Sequence, residues 1–409
     1  MEGNVVAATE QIMKFLAILI VSGIICIKLS EKLRMPDTVL FILMGVILGP
    51  EMIGLVNLKD FPIANQFVLT FGAAYILYDG GREIQLKVLN KVKVSVFLLS
   101  TLGVILSAVI IGFFAQKILG INFIYALLLG SVIASTDPSV LIPLFKNMKI
   151  SPKLKQTIIS ESAFNDAASA IMTFAILSFL MGNSFSLANN LLELVKTASG
   201  GIIVGIVIGY LATLLVSESQ HGHFSGHSGE IAVASVLGAY LVANYFGFSG
   251  FMAVFVVGIV EGNISLFNLS IEEEAYRLHV SFKEVLITIL RIMIFVLLGT
   301  QVEFNLLGQY WRSAIFVVLL LVFVARPISV FLSVSFDRKA AWSFREILFL
   351  MWTRETGVIP AALAGILVSM QVPNAKVISA VTLMAIIITL SFQASTAKYV
   401  AKRLKLMQE

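Results

Sequence analysis

The sequence predicts an all-α polytopic membrane protein of about 13 transmembrane helices: two inverted six-helix repeats linked by helix 7, with helices 5 and 12 broken. Three observations carry this prediction. The chain of 409 residues is 58% hydrophobic and 13% charged, with a mean hydropathy of +0.95, whereas a soluble domain carries about 25% charged residues. Its apolar runs recur at lengths that cross roughly 30 Å of hydrocarbon. Its Lys and Arg residues gather on alternate loops.

In chain order the expected spans are 11–29, 37–56, 61–79, 92–116, 121–146, 151–181, 188–216, 229–247, 250–264, 282–300, 311–334, 342–370 and 376–399. Loops after odd spans hold 20 Lys and Arg residues and loops after even spans hold 4, Lys59, Lys117, Arg312 and Lys376. The positive-inside tendency then places the N-terminus outside and the C-terminus in the cytoplasm. The same charges explain the net +5 without a nucleic-acid surface, because no basic residues interleave with aromatics on a soluble face. A lone cysteine, Cys26, excludes an intrachain disulfide and any Cys-rich metal site. Glu2 and Glu10 precede the first apolar run, so it reads as a retained helix rather than a cleaved leader.

The repeat is a weak echo. Span 2 contains Gly45 and Gly49, and span 9 contains Gly258 and Gly262 at the same spacing. Span 5 is interrupted at Thr136-Asp137-Pro138 and span 12 at Glu355-Thr356-Gly357-Val358-Ile359-Pro360. Each pair lies seven spans apart, and an odd offset inverts the topology. Interrupted helices at matching places in two halves point to a transporter's binding site; ordinary tolerance of Gly and Pro in membrane helices is the plainer alternative.

The chemistry concentrates between Ser131 and Ala170. A carboxylate at the bilayer centre costs about 2.5–3.5 kcal/mol on insertion scales, yet Asp137, Glu161 and Asp166 all lie inside apolar spans. Pro138 lacks an N–H and disfavours helix at Asp137. The opened turn offers carbonyl oxygens, a hydroxyl and a carboxylate, the ligands a hard monovalent cation accepts in place of water. Asp137 could equally cap the second half-helix. In span 6, Ser162 and Asp166 share one helical face, and Glu161 and Asn165 the neighbouring one. Asp166 is expected to face the span-5 break. Glu161 would point to another helix and needs a cation: Arg354 is the first candidate, with Arg326 and Arg291 as rivals, in what is also readable as a purely structural pair. Asp79, at the end of span 3, reaches either toward the site or back to Arg82.

Together these residues resemble the monovalent cation:proton antiporter-1 family of sodium/proton exchangers. The resemblance covers essentially the whole chain. It rests on Thr136-Asp137-Pro138, Glu161-Ser162-x-x-Asn165-Asp166, Ile294-Phe295-Val296-Leu297-Leu298-Gly299, Phe323-Val324-Ala325-Arg326-Pro327 and Gly357-Val358-Ile359-Pro360-Ala361-Ala362-Leu363. It implies that Asp166 binds cation and proton in turn, and that Thr136, Asp137, Ser162 and Asn165 line the site. Asp79 takes the place of a usual Glu before Gly-Gly. Asp166 and Asp137 would ligate the transported alkali cation. The implied Glu161–Arg pair departs from the family pattern: relatives often place Arg directly before the Gly of Gly-Val-Ile-Pro, where this chain has Thr356. Arg354 lies two residues earlier, a turn of about 200° on a helix.

The resemblance further implies electroneutral, one-for-one exchange of Na+ or K+ against H+, no cofactor and no enzymatic activity. It implies a homodimer in the cell membrane and a contribution to pH homeostasis. Relatives often carry a cytosolic regulatory domain after the last span. Within a single domain over 1–409, residues 92–181 and 311–399 are expected to move as a core bundle against a dimerisation scaffold of 1–81 and 188–300. A passive cation channel is the alternative; it needs no acid that must be neutralised before moving. An aspartyl protease would need a GxGD motif, which is absent. Two polar stretches stand apart. The loop from His221 to His227 holds three of the four histidines, and Glu272-Glu273-Glu274 reads as a solvated acidic turn.

Overall fold

The computed structural model describes residues 2–33, 35–57, 60–90, 92–137, 150–180, 187–218 and 223–407. Among them the chain is helical throughout: α1 (Glu2–Leu33), α2 (Asp37–Leu48), α3 (Pro62–Arg82), α4 (Lys93–Leu119), α5 (Phe123–Ile133), α6 (Pro152–Leu180), α7 (Leu187–Val216), α8 (Ser228–Tyr245), α9 (Gly250–Gly262), α10 (Glu273–Thr300), α11 (Phe304–Val334), α12a (Phe344–Trp352), α12b (Val358–Ser369) and α13 (Ala375–Arg403). Six of these helices carry windows long and apolar enough to cross a membrane: α1, α4, α6, α7, α11 and α13. With large apolar side chains such as Ile203, Phe316 and Phe97 turned outward, the chain is a multi-pass membrane protein, because only a lipid environment accommodates so much exposed apolar surface.

Every expected span corresponds to a helix, and the differences are in length. Helices α2, α5, α9 and α12b run 10–17 residues, well short of the ~20 needed to cross alone. Helix α10 starts at Glu273, nine residues before the expected 282. The acidic run is therefore not a free turn: Glu272 precedes the helix, and Glu273 and Glu274 sit in its first turn, where the positive end of the helix dipole favours them.

Two helix pairs cross at very short range. A Cβ on Gly45 of α2 would meet the Val296 carbonyl oxygen of α10 at 2.1 Å, and one on Gly258 of α9 would meet the Tyr78 carbonyl oxygen of α3 at 2.0 Å. No side chain fits at either point. These crossings exchange with one another when each helix is replaced by the one seven places along. Helix α3 also packs on α6 and α12b, α4 on α5 and α11, and α11 on α13.

Two helices contain a widened π turn, over Leu321–Ala325 in α11 and Thr389–Ala394 in α13. Such turns rotate the following side chains and often mark functional positions. Both serve the interruption of helix 12. The first precedes Arg326, whose guanidinium reaches the carbonyls of Leu350 and Thr353. The second carries Thr389 and Gln393, which bond the Thr356 N–H and the Trp352 carbonyl.

Candidate functional site

Helix α5 ends at Ile133, and residues 135–137 continue as non-helical backbone. Pro138 and the second half of the expected fifth span lie outside the described residues. A helix end leaves carbonyls and amides without intrahelical partners, and α6 supplies them here. The Asn165 Oδ1 accepts the Thr136 N–H at 3.0 Å, and its Nδ2 donates to Thr136 Oγ1 at 2.9 Å. The Ser162 hydroxyl donates to the Thr136 carbonyl at 2.5 Å. Ser169 bonds the Ser131 carbonyl, and Ser131 and Thr173 share a hydroxyl contact at 2.9 Å. The stripe Ser162, Asn165, Asp166, Ser169 and Thr173 thus forms one polar face toward α5. Asn165 lies about 40° from Glu161 on the helix, yet its amide turns to Thr136 while Glu161 turns to Arg326.

Asp166 accepts a hydrogen bond from the Ser135 hydroxyl at 2.5 Å. Sequence reading quoted Ser135 without giving it a role. The Asp137 N–H donates to the Glu355 carbonyl at 2.8 Å, so the broken stretches of helices 5 and 12 meet directly. The Asp137 carboxylate accepts the Val358 N–H at 3.3 Å. It caps α12b, at the positive end of that helix's dipole. The approach is possible only because residue 357 is glycine: a Cβ there would lie 2.0 Å from Asp137 Oδ2.

A cavity of about 100 Å³ lies beside these groups, lined by Asp137, Ser162 and Asp166 together with Asp79, Gly80, Glu83 and Arg291. Asp166 therefore faces this cavity. Asp79 shares its cavity but is held by Lys283, whose Nζ lies 2.6 Å from its carboxylate. Arg82, the partner that sequence reading offered Asp79, turns instead to the Tyr78 hydroxyl at 2.9 Å and to Glu261.

The arginines divide differently from the first expectation. Arg326, not Arg354, pairs with Glu161, through both guanidinium Nη atoms. Arg354 is fully buried and donates to the Ile133 carbonyl at 2.5 Å, the last carbonyl of α5. The reason is the unwound stretch between Trp352 and Val358, which aims Arg354 across the molecule while the π turn of α11 aims Arg326 at Glu161. Each guanidinium thus sits at the negative end of an interrupted helix, Arg354 on α5 and Arg326 on α12a. Arg291 bonds Asp37 and Thr38, both at 3.3 Å. Glu355, which carries no role in the sequence reading, is buried, and its Oε1 has no hydrogen-bond partner among the described residues.

No group of three His, Cys, Asp or Glu side chains placed to hold a metal ion occurs among the described residues. His221 lies outside them; His227 contacts Glu230 at 3.4 Å in the exposed loop. The acid and hydroxyl groups around Asp166 instead suit a transported cation, which prefers oxygen ligands.

A sequence profile for the family described as "Sodium/hydrogen exchanger, transmembrane" matches residues 16–403. The chain belongs to the sodium/hydrogen exchanger family. Among relatives of this exchanger, Na(+)/H(+) antiporter 1 of Methanocaldococcus jannaschii is 30% identical over 363 residues, covering 86% of this chain and 82% of the relative. The probable Na(+)/H(+) antiporter 2 of the same organism is 28% identical, covering 95% and 96%. The K(+)/H(+) antiporter NhaP of Alkalimonas amylolytica is 27% identical, covering 96% of this chain and 66% of its own. The structure of the sodium proton antiporter MjNhaP1 from M. jannaschii at pH 8 superposes with a TM-score of 0.87 at 27% identity, covering 97% of this exchanger and 99% of that chain.

Proposed function

We propose that the chain is a secondary antiporter that exchanges Na+ or K+ for H+, with cation and proton competing for Asp166. The observation that carries this reading is the position of Asp166: half-buried, bonded by Ser135 and open to the cavity that Asp79 and Glu83 line. A bare carboxylate at membrane depth is penalised, and either a proton or an alkali cation neutralises it. Only the occupied site moves cheaply, so one site served by two cations gives obligatory exchange. Asp137, Thr136, Ser162 and Asn165 shape the cation's oxygen environment, and Asp79 lies on the approach. The resemblance to exchangers that carry Asn-Asp at the place of Asn165-Asp166 makes the proposed exchange electroneutral, one for one. The Glu161–Arg326 pair is structural.

Alternating access would proceed by rigid-body movement of α4–α6 and α11–α13 past a homodimeric scaffold of α1–α3 and α7–α10. The glycine crossings of α2 on α10 and α9 on α3 support a stiff scaffold. The alternation of basic residues supports a cytoplasmic C-terminus.

The test is reconstitution in liposomes containing a pH-sensitive dye, adding Na+, K+ and Li+ in turn. Cation-driven proton movement is expected in the native chain and none in Asp166→Asn. Cation flux without proton coupling would instead establish a passive channel, and coupled flux in Asp166→Asn would remove Asp166 from the mechanism.

A further inference from the structure

The cavity that Asp166 lines is also lined by two acids at the end of α3, Asp79 in its last turn and Glu83 just after it. The facing wall is α10, which contributes Ile287 and Arg291. Lys283 stands one turn before Ile287 on the same α10 face, since residues four apart share a face. Its ammonium bridges the two acids, 2.6 Å from Asp79 and 3.3 Å from Glu83. The Lys283 side chain is only 13% exposed.

The other charges nearby are engaged elsewhere. Arg82 bonds the Tyr78 hydroxyl and faces Glu261 and His279. Arg291 bonds Asp37 and Thr38. Lys283 is thus the basic side chain on Asp79 among the described residues. An ammonium is a compact univalent cation on a flexible stem, and it holds the oxygens that an alkali ion reaching these acids would use.

We propose that Lys283 is a tethered competitor of the transported cation: its ammonium occupies the carboxylates of Asp79 and Glu83, and an arriving alkali ion displaces it on the way to Asp166. Lys283 is a positioning residue that sets apparent cation affinity. The inference rests on the antiport reading above. A partly exposed pair of this kind contributes modestly, and its loss as a competitor is worth about a fivefold change in apparent affinity.

The experiment measures initial rates of dye-reported exchange against Na+ concentration in proteoliposomes of the full chain. Lys283→Gln is expected to lower KM about fivefold, and Lys283→Arg, which keeps the charge, to retain the native KM. In an Asp79→Asn background, Lys283→Gln should lower KM clearly less than fivefold, because only Glu83 is then contested. A merely structural lysine would lower the maximal rate and the thermal stability without lowering KM. Should Lys283→Gln fold poorly, Lys283→Met, with an uncharged stem of similar length, carries the same expectation. An unchanged or raised KM in the folded variant, or an equal drop in the Asp79→Asn background, overturns the inference. Absence of coupled flux in the native chain would instead overturn the antiport reading.

Discussion

Arg326 holds Glu161 through both guanidinium Nη atoms while its Nε donates to the Leu350 carbonyl at 3.0 Å. One side chain on α11 therefore ties α6 to the last turn of α12a. Both partners are buried. Removing one side of a buried ion pair leaves an uncompensated charge and costs about 3–5 kcal/mol. Arg326→Ala and Glu161→Ala are each expected to lower the melting temperature of the detergent-purified protein strongly. Arg326→Lys should not restore it, because an ammonium lacks the planar fork that serves carboxylate and carbonyl together. A double-mutant cycle checks the pairing. Strong coupling of Glu161 to Arg354 in place of Arg326 would show it to be wrongly assigned.

The meeting of the two broken helices makes a second demand. Gly357 leaves room for the Asp137 carboxylate, and a Cβ there would lie 2.0 Å from Oδ2. Asp137 cannot yield freely, since its N–H is bonded to the Glu355 carbonyl. Overpacking of this kind costs about 1–3 kcal/mol, which the surrounding helices can absorb. Gly357→Ala is therefore expected to fold yet lose most of its exchange rate in proteoliposomes. Gly308→Ala, at a position with open space around the α-carbon, should retain it. Native exchange in Gly357→Ala would show that the two breaks need not touch.

Helix number, order and the placement of the acids were legible in the sequence because lipid imposes a strong rule. Apolar runs must span, and charges inside them need a reason. Asp166, Thr136, Ser162 and Asn165 converge where reading predicted. The partner of Glu161 was not legible, because it depends on two departures from regular helix. The π turn before Arg326 and the unwound stretch after Trp352 each rotate a side chain by an amount that spacing alone does not encode. Lys283 was hidden for another reason. Hydropathy starts span 10 at 282, so the polar first turns of α10, from Glu273, look like loop, and Lys283 counts as a loop charge. Ser135, Ser169 and Thr173 carried a readable signal, hydroxyls at helical spacing opposite the break, but hydroxyls alone are common in membrane helices.

Asn165 tests how far the cation's surroundings depend on second contacts. Its amide satisfies both the Thr136 N–H and the Thr136 hydroxyl. Leaving buried polar groups unmade costs about 1–3 kcal/mol, and the Thr136 segment would shift to find partners. Asn165→Ala is expected to raise the apparent KM for Na+ about tenfold or more. The effect should be read as a KM change at full expression and near-native melting temperature. An unchanged KM would show that the position of Thr136 is set by Ser162 alone.

The last expectation concerns pH and follows from competition at a single carboxylate. In the proposed exchange Asp166 holds either a proton or an alkali cation, and Ser135 bonds the same side chain. Lowering the pH fills the site with protons. The cation must then displace them, so its apparent KM rises as pH falls, approaching about tenfold per unit once the site is mostly protonated. The maximal rate at saturating cation should stay level over the same interval, because enough cation wins the site at any proton concentration. Raising the pH should lower KM until it reaches the intrinsic cation affinity, after which the rate falls, because too few protons return on the exchange stroke. A bell-shaped rate at fixed Na+ results, and its acidic limb should move to lower pH when Na+ is increased. Dye-reported exchange at several Na+ concentrations across pH measures this directly. An acidic limb that keeps its position at every Na+ concentration would mean that proton and cation occupy separate groups, and that Asp166 is not their shared site.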